Sequence, residues 1–175
     1  ATPGDAAMLA AMGAVPVEIP LPKMAEAMSG GSVDGALLSW SDAQAAGVDR
    51  AARSHTEFGP GNGGLASSLF ALVMSSGSFG ALADDLKTVV NANSGADTAA
   101  WLGRVMDDAA TQARKAAAAR GDAIRVLTLE ERDRWIAAAR TVANARIDAL
   151  EQADVRMKGF VERLREQLRE FDAAD

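Results

Sequence analysis

The chain has 175 residues, 49% of them hydrophobic and 24% charged, which is the balance of one folded domain or of a lobe of a larger protein. A net charge of −6 excludes a nucleic-acid binder that works through a basic stripe, and the absence of cysteine excludes disulfides, thiolate catalysis and zinc–thiolate sites. No stretch approaches the run of about 20 apolar residues that crosses a bilayer.

In chain order, Asp5 is a fair N-cap for a helix over Ala6–Met12, which Gly13 closes. Val15–Ile19 reads as a strand, with Pro16 suiting an edge or a strand start. Pro22 sits at a helix N1 position, and Met24, Ala27 and Met28 share one face before Ser29-Gly-Gly31 breaks the helix. Val33–Trp40 reads as a buried strand because Ala36-Leu-Leu38 is a continuous apolar run. Ser41 caps a short helix that Gly47 stops, and Ala52–Phe58 is the next strand. After the loop Gly59–Gly64, the apolar run Leu69–Met74 is the last strand of this half.

The pattern then changes to helix. Phe79–Asn93 carries Leu82, Leu86, Val89 and Val90 on one face, and Ala96–Arg120 is a long alanine-rich helix ended by Gly121. After Ile124-Arg-Val126, Thr128 and Glu131 form the T-x-x-E capping box of a helix bearing Trp135, Ile136, Val142, Ile147 and Leu150. A last helix, Phe160–Phe171, has Gly159 as the expected break before it. The composition therefore divides into α/β segments over 1–78 and long helices over 79–175, and the fold class expected is α/β.

Several residues carry apparent chemistry. Gly59-x-Gly61-x-x-Gly64 matches the dinucleotide fingerprint in form, with Asp84 and Asp85 about 20 residues on. That chemistry needs a helix starting at the third glycine, whereas Ala66–Met74 reads better as a strand, so a loop between lobes is preferred. No Walker lysine follows. His55 lies on a strand with Glu57 as its nearest carboxylate in sequence and reads as a structural histidine. Asp84-Asp85 and Asp107-Asp108 diverge on helices and read as solvated faces. The seven methionines read as packing. Trp40 stands apart: it closes an apolar run, and Ser39, Ser41 and Asp42 surround it at a helix start. An aromatic wall with hydroxyls beside it suits a small anion with an apolar stem, while a core tryptophan is the equal alternative.

The order of these segments resembles the periplasmic solute-binding proteins of TRAP transporters. The resemblance rests on Gly13-Ala-Val-Pro-Val-Glu-Ile-Pro20, on Met24-Ala-Glu-Ala-Met-Ser-Gly-Gly-Ser-Val-Asp-Gly35, and downstream on Asp84-Asp-Leu-Lys87, Ile124-Arg-Val-Leu-Thr128 and Arg134-Trp135. It covers residues 9 to about 150. It implies a type II periplasmic-binding-protein fold, here one lobe plus long C-terminal helices. The first lobe and the carboxylate-gripping arginine of the family would precede Ala1, so the chain is expected to be a fragment. The implied function is binding of a small organic acid, a mono- or dicarboxylate, and its delivery to membrane permease subunits, with no catalysis and no cofactor. Ser39, Trp40 and Phe58 are the expected ligand contacts: Trp40 as wall, Ser39 as hydrogen-bond donor, Phe58 on the hinge side. Many members follow Asp-Gly with Gln-Glu-Asn, whereas Ala36-Leu-Leu38 and Ser39-Trp40 stand here, a pattern similar to a subgroup whose tryptophan faces the ligand. A helical interaction module that pairs with a partner or with itself is the alternative of a different class.

Overall fold

The computed structural model describes residues 3–59, 64, 65, 70–153 and 157–172. Their packing divides the chain into two units that interleave in sequence: one comprises Ala1–Glu18, Phe58–Leu65 and Leu127–Asp175, the other Ile19–Glu57 and Ala66–Val126. The architecture is helix-rich α/β with a two-stranded parallel sheet, in keeping with the class expected.

In the first unit, α1 (Pro3–Ala11) packs on α8 (Leu129–Gln152), and Met8 is the buried apolar residue of α1. Asp5 lies inside the first turn of α1, where a carboxylate suits the helix dipole, and is not the cap expected of it. Gly13 takes φ +87° just beyond the helix, the left-handed closure that glycine permits. The capping box forms as the spacing predicts: Glu131 N–H donates to Thr128 Oγ1 at 3.2 Å, and Thr128 N–H donates to Glu131 Oε2 at 2.9 Å. The last helix, α9, runs from Met157 to Asp172, so Gly159 sits within it and does not break the chain there. Lys158 ties α9 to α8 through Asp148 at 2.9 Å, and its backbone N–H donates to Glu151.

The second unit holds the sheet. Strands β1 (Ser54–Glu57) and β2 (Ala123–Val126) run parallel in the register Ser54↔Ala123 to Glu57↔Val126. Three helices of the same unit precede β1: α2 (Leu21–Ser29), α3 (Trp40–Ala45) and α4 (Val48–Ala51). The α3–α4 turn is made by Gly47 at φ +71°, a conformation costly for any residue with a Cβ. Between the strands lie α5 (Ser76–Gly80), α6 (Asp84–Ala92) and α7 (Ala96–Ala119). One helix was expected over 79–93; two form, because the Ser75 hydroxyl caps α5 early and Asp84-Asp85 open α6 as a fresh first turn.

Three expected strands are absent. Residues 14–20 and 33–39 are irregular, as are 70–75, while Leu69 lies outside the described residues. A strand exists only by pairing, and no described segment pairs with these three. Val15 is 89% exposed, Leu72 96% and Val73 82%, so their apolar side chains find no core within the described residues.

The most fully buried apolar residues of the second unit are Ala113 and Ala117, both 0% exposed, on the helix that packs against α3. Side chains this small let the two helices approach closely. Ala117→Leu is expected to destabilise the protein by about 1–3 kcal/mol through overpacking, and the exposed control Ala118→Leu by less than about 0.5 kcal/mol, in urea unfolding followed by circular dichroism.

Candidate functional site

Trp40 is the first residue of α3, and the cap is Ser39, not Ser41 as expected. The Ser39 Oγ accepts from the Asp42 N–H at 3.0 Å and lies 3.0 Å from the Ser41 Oγ. A serine three residues before an aspartate satisfies the open N–H groups of the first turn better than Ser41 can, which ends the preceding segment at Ser39. Ser39 and Trp40 are neighbours at one helix start; Phe58, half-buried, directly follows β1 and belongs to the other unit.

The alternation of β1 puts His55 and Glu57 on one face, both half-buried, with Ser54 and Thr56 exposed on the other. The Trp40 indole meets both residues of that face. Its Nε1–H donates to Glu57 Oε2 at 3.1 Å, and its ring lies 4.9 Å from the His55 ring at an interplanar angle of 45°. Arg114 of α7 closes on the same carboxylate: its Nη2 donates to Oε1 at 2.7 Å, and its Nε lies 2.9–3.0 Å from both oxygens. This two-oxygen fork is the strong geometry for an arginine and a carboxylate. The Arg114 hydrogen bond holds the Glu57 carboxyl below the usual range against the opposing effect of burial, with the Trp40 bond adding to it, and Glu57 raises the Arg114 guanidinium.

Beside this trio lies a second anionic node. The Asp122 side chain is 1% exposed and is met by Arg53 at 3.1 Å, Arg120 at 2.9 Å and His55 Nε2 at 3.4 Å. Burial pushes its carboxyl up, but the hydrogen bonds from Arg53, Arg120 and His55 outweigh that and leave it lowered. Arg120 also donates to the Asp49 carbonyl at 3.0 Å and lies 3.0 Å from Asp49 Oδ2, an ion pair without hydrogen-bond alignment. His55 is thus a linking residue between Trp40 and Asp122, in keeping with the structural role read from the sequence. Asp84, 99% exposed and 3.1 Å from Lys87, is a solvated face as expected.

The glycine motif is not a helix-borne phosphate cradle where the chain is described. Gly59 takes φ +89°, Gly64 and Leu65 are not helical, and residues 60–63 and 66–69 lie outside the described residues. Among the described residues no cluster of metal-ligating side chains occurs.

Sequence reasoning missed Glu57 as the partner of Trp40, and missed Arg114, Asp122, Arg53, Arg120 and Asp49 altogether. One signal was present for Arg114: a guanidinium set between Ala113 and Ala117 on a small-residue face needs a buried or half-buried anion opposite it. Its partner lies 57 positions away, beyond the reach of local pattern.

Both lowered carboxyls stabilise the fold above their unfolded values of about 4, and that contribution is lost as pH falls through the still lower folded values. The melting temperature is therefore expected to fall steeply between about pH 4.5 and 3. Glu57→Gln should show a shallower slope there and a lower plateau at pH 7, measured by circular dichroism.

The family model of the bacterial extracellular solute-binding proteins, family 7, matches residues 2–148. Among solved structures, a TRAP solute-binding protein from Rhodoferax ferrireducens T118, in complex with copurified benzoate, is 34% identical with a TM-score of 0.79; the likeness covers 86% of this chain and 47% of that one. A TRAP solute-binding protein of an unidentified microbe from a marine metagenome, specific for aromatic acid ligands and in complex with metahydroxyphenylacetate, is 25% identical with a TM-score of 0.76, covering 88% of this chain and 48% of its own. The chain thus spans about half the length of these structures. No curated protein matches it significantly.

Proposed function

The chain belongs to the bacterial extracellular solute-binding proteins of family 7, and from that premise we propose that it forms part of the cleft with which a TRAP-type binding protein captures a small organic acid. The acid is a carboxylate with an apolar, aromatic body, and the protein hands it to membrane permease subunits from the periplasmic side. Two similar structures hold benzoate and metahydroxyphenylacetate, which favours an aromatic monocarboxylate over a short dicarboxylate. No described helix is long and apolar enough to cross a membrane, in keeping with a binding component that meets the permease from outside the bilayer.

The observation that carries this reading is Trp40: a half-buried indole at the start of α3, with the Ser39 and Ser41 hydroxyls beside it. The ring supplies the flat apolar wall, and the Ser39 and Ser41 hydroxyls share one hydrogen bond at 3.0 Å, which leaves one hydroxyl hydrogen of the pair to donate. The histidine and carboxylates near the ring are taken up with structural partners, so the site binds and does not transform. The chain spans about half the length of the similar structures, and the group that grips the ligand carboxylate is read as belonging to the other half.

Calorimetry with the product of the whole gene tests the proposal. Benzoate is expected to bind at least about tenfold more tightly than succinate, a preference Trp40→Ala should abolish. The 175-residue chain by itself is expected to bind benzoate about 10- to 100-fold more weakly, the worth of a lost charge-assisted hydrogen bond. Equal affinity for both acids, or for whole protein and chain, would sink the reading.

The helical interaction module has one observation in its favour. Phe160, Leu164 and Leu168 of α9 are 51%, 43% and 54% exposed on a strongly amphipathic helix that lies beyond the matched residues. Light scattering distinguishes it: a dimer that Leu164→Glu converts to monomer favours pairing through α9, and a monomer at all concentrations rejects it.

A further inference from the structure

We infer that Glu57, clamped by Arg114, is a specificity-determining positioning residue that sets what the Trp40 ring can offer a ligand. The inference rests on the reading of Trp40 as the cleft wall.

An indole has an apolar body and one polar point, its N–H. A tryptophan facing a cleft with that N–H free would present a donor, and the cleft would favour ligands that bring an acceptor to it. Here the donor is spoken for: Nε1–H points to Glu57 Oε2 at 3.1 Å. What remains for a ligand is π-surface and C–H edge, which suits an aromatic or alkyl body and gives a second carboxylate nothing to bind. Specificity of this kind comes from withholding a partner as much as from supplying contacts.

The orientation is fixed at two places. Glu57 holds the pyrrole edge, and His55, two residues earlier on the same strand face, lies against the ring at 4.9 Å. Residues two apart on a strand point to the same side and are separated by roughly 6.6 Å, so one strand face supplies both contacts to the ring. Arg114 has two effects on this arrangement. Its fork orients the Glu57 carboxylate so that Oε2 faces the indole, and its charge cancels that of Glu57, so a ligand carboxylate meets no net negative charge from the pair.

The test uses the product of the whole gene with Trp101→Phe and Trp135→Phe, which leaves Trp40 as the reporter within this chain. Without ligand, Glu57→Ala is expected to red-shift Trp40 emission and increase its quenching by acrylamide. With ligand, the ratio of succinate to benzoate dissociation constants should fall about three- to tenfold. Glu57→Gln keeps an acceptor oxygen for the N–H and should be intermediate; it also serves if the alanine variant does not fold. Trp40→Phe keeps a ring but has no N–H, so Glu57→Ala should leave the ratio unmoved in that background. Unchanged emission in Glu57→Ala overturns the positioning role. A changed emission with an unchanged ratio, or a ratio that moves equally with and without the Trp40 N–H, overturns the specificity role. Failure of the unsubstituted protein to bind either acid overturns the reading of function, and this inference with it, whatever the ligand-free emission reports.

Discussion

One carboxylate decides the geometry of the second unit. Glu57 receives a two-oxygen fork from α7 on one side and an indole N–H from α3 on the other, and it stands on a strand of only four residues. A two-stranded parallel sheet has little stability of its own, since each strand offers one edge of hydrogen bonds and a narrow face. Charge-assisted bonds from helices to the strand face compensate for that. The fully buried alanines of α7, the helix that packs on α3, flank Arg114 in sequence, so the helix carrying the fork is also the one seated against the helix carrying the indole.

The neighbouring node at Asp122 follows the same rule with more partners. Two arginines and a histidine converge on a carboxylate that water barely reaches, and one of the arginines also engages Asp49. Buried ion pairs of this kind contribute little net stability compared with apolar packing, because desolvation offsets the attraction. Their contribution here is registration. Asp122 lies immediately before β2, so fixing its side chain fixes where β2 starts against β1 and hence which residues of β1 face the helices.

Several helix ends were legible in the sequence from local chemistry, although the caps at Ser39 and Ser75 were not. The T-x-x-E box at Thr128, the glycines at 13, 47 and 121, and the proline at position 22 all sit where the sequence places helix ends. Of the strands expected at 15–19, 33–40, 52–58 and 69–74, only 52–58 contains one, and its partner over Ala123–Val126 was not read as a strand; the other three carry equally good apolar patterns and stay unpaired where described. Periodicity measures how well a segment would suit a sheet, not whether a neighbour is present to complete it. The same limit applies to the site. Trp40 and Ser39 drew notice by composition and order, but Glu57 and Arg114 are joined across 57 positions, and Asp122 meets His55 and Arg53 across 67 and 69. Only tertiary packing brings such groups together.

The run Phe70–Met74, unpaired among the described residues, has a bearing on how this polypeptide behaves in concentrated solution. It is five residues long, uncharged and free of proline and glycine, with β-branched and aromatic members, and all five residues are exposed. Segments of that composition stack readily with copies of themselves, every amide finding its partner in the next chain along a growing fibril. The stretch that reads most clearly as a strand is thus also where the chain is most prone to amyloid-like stacking, and any segment that paired with it would guard against that outcome.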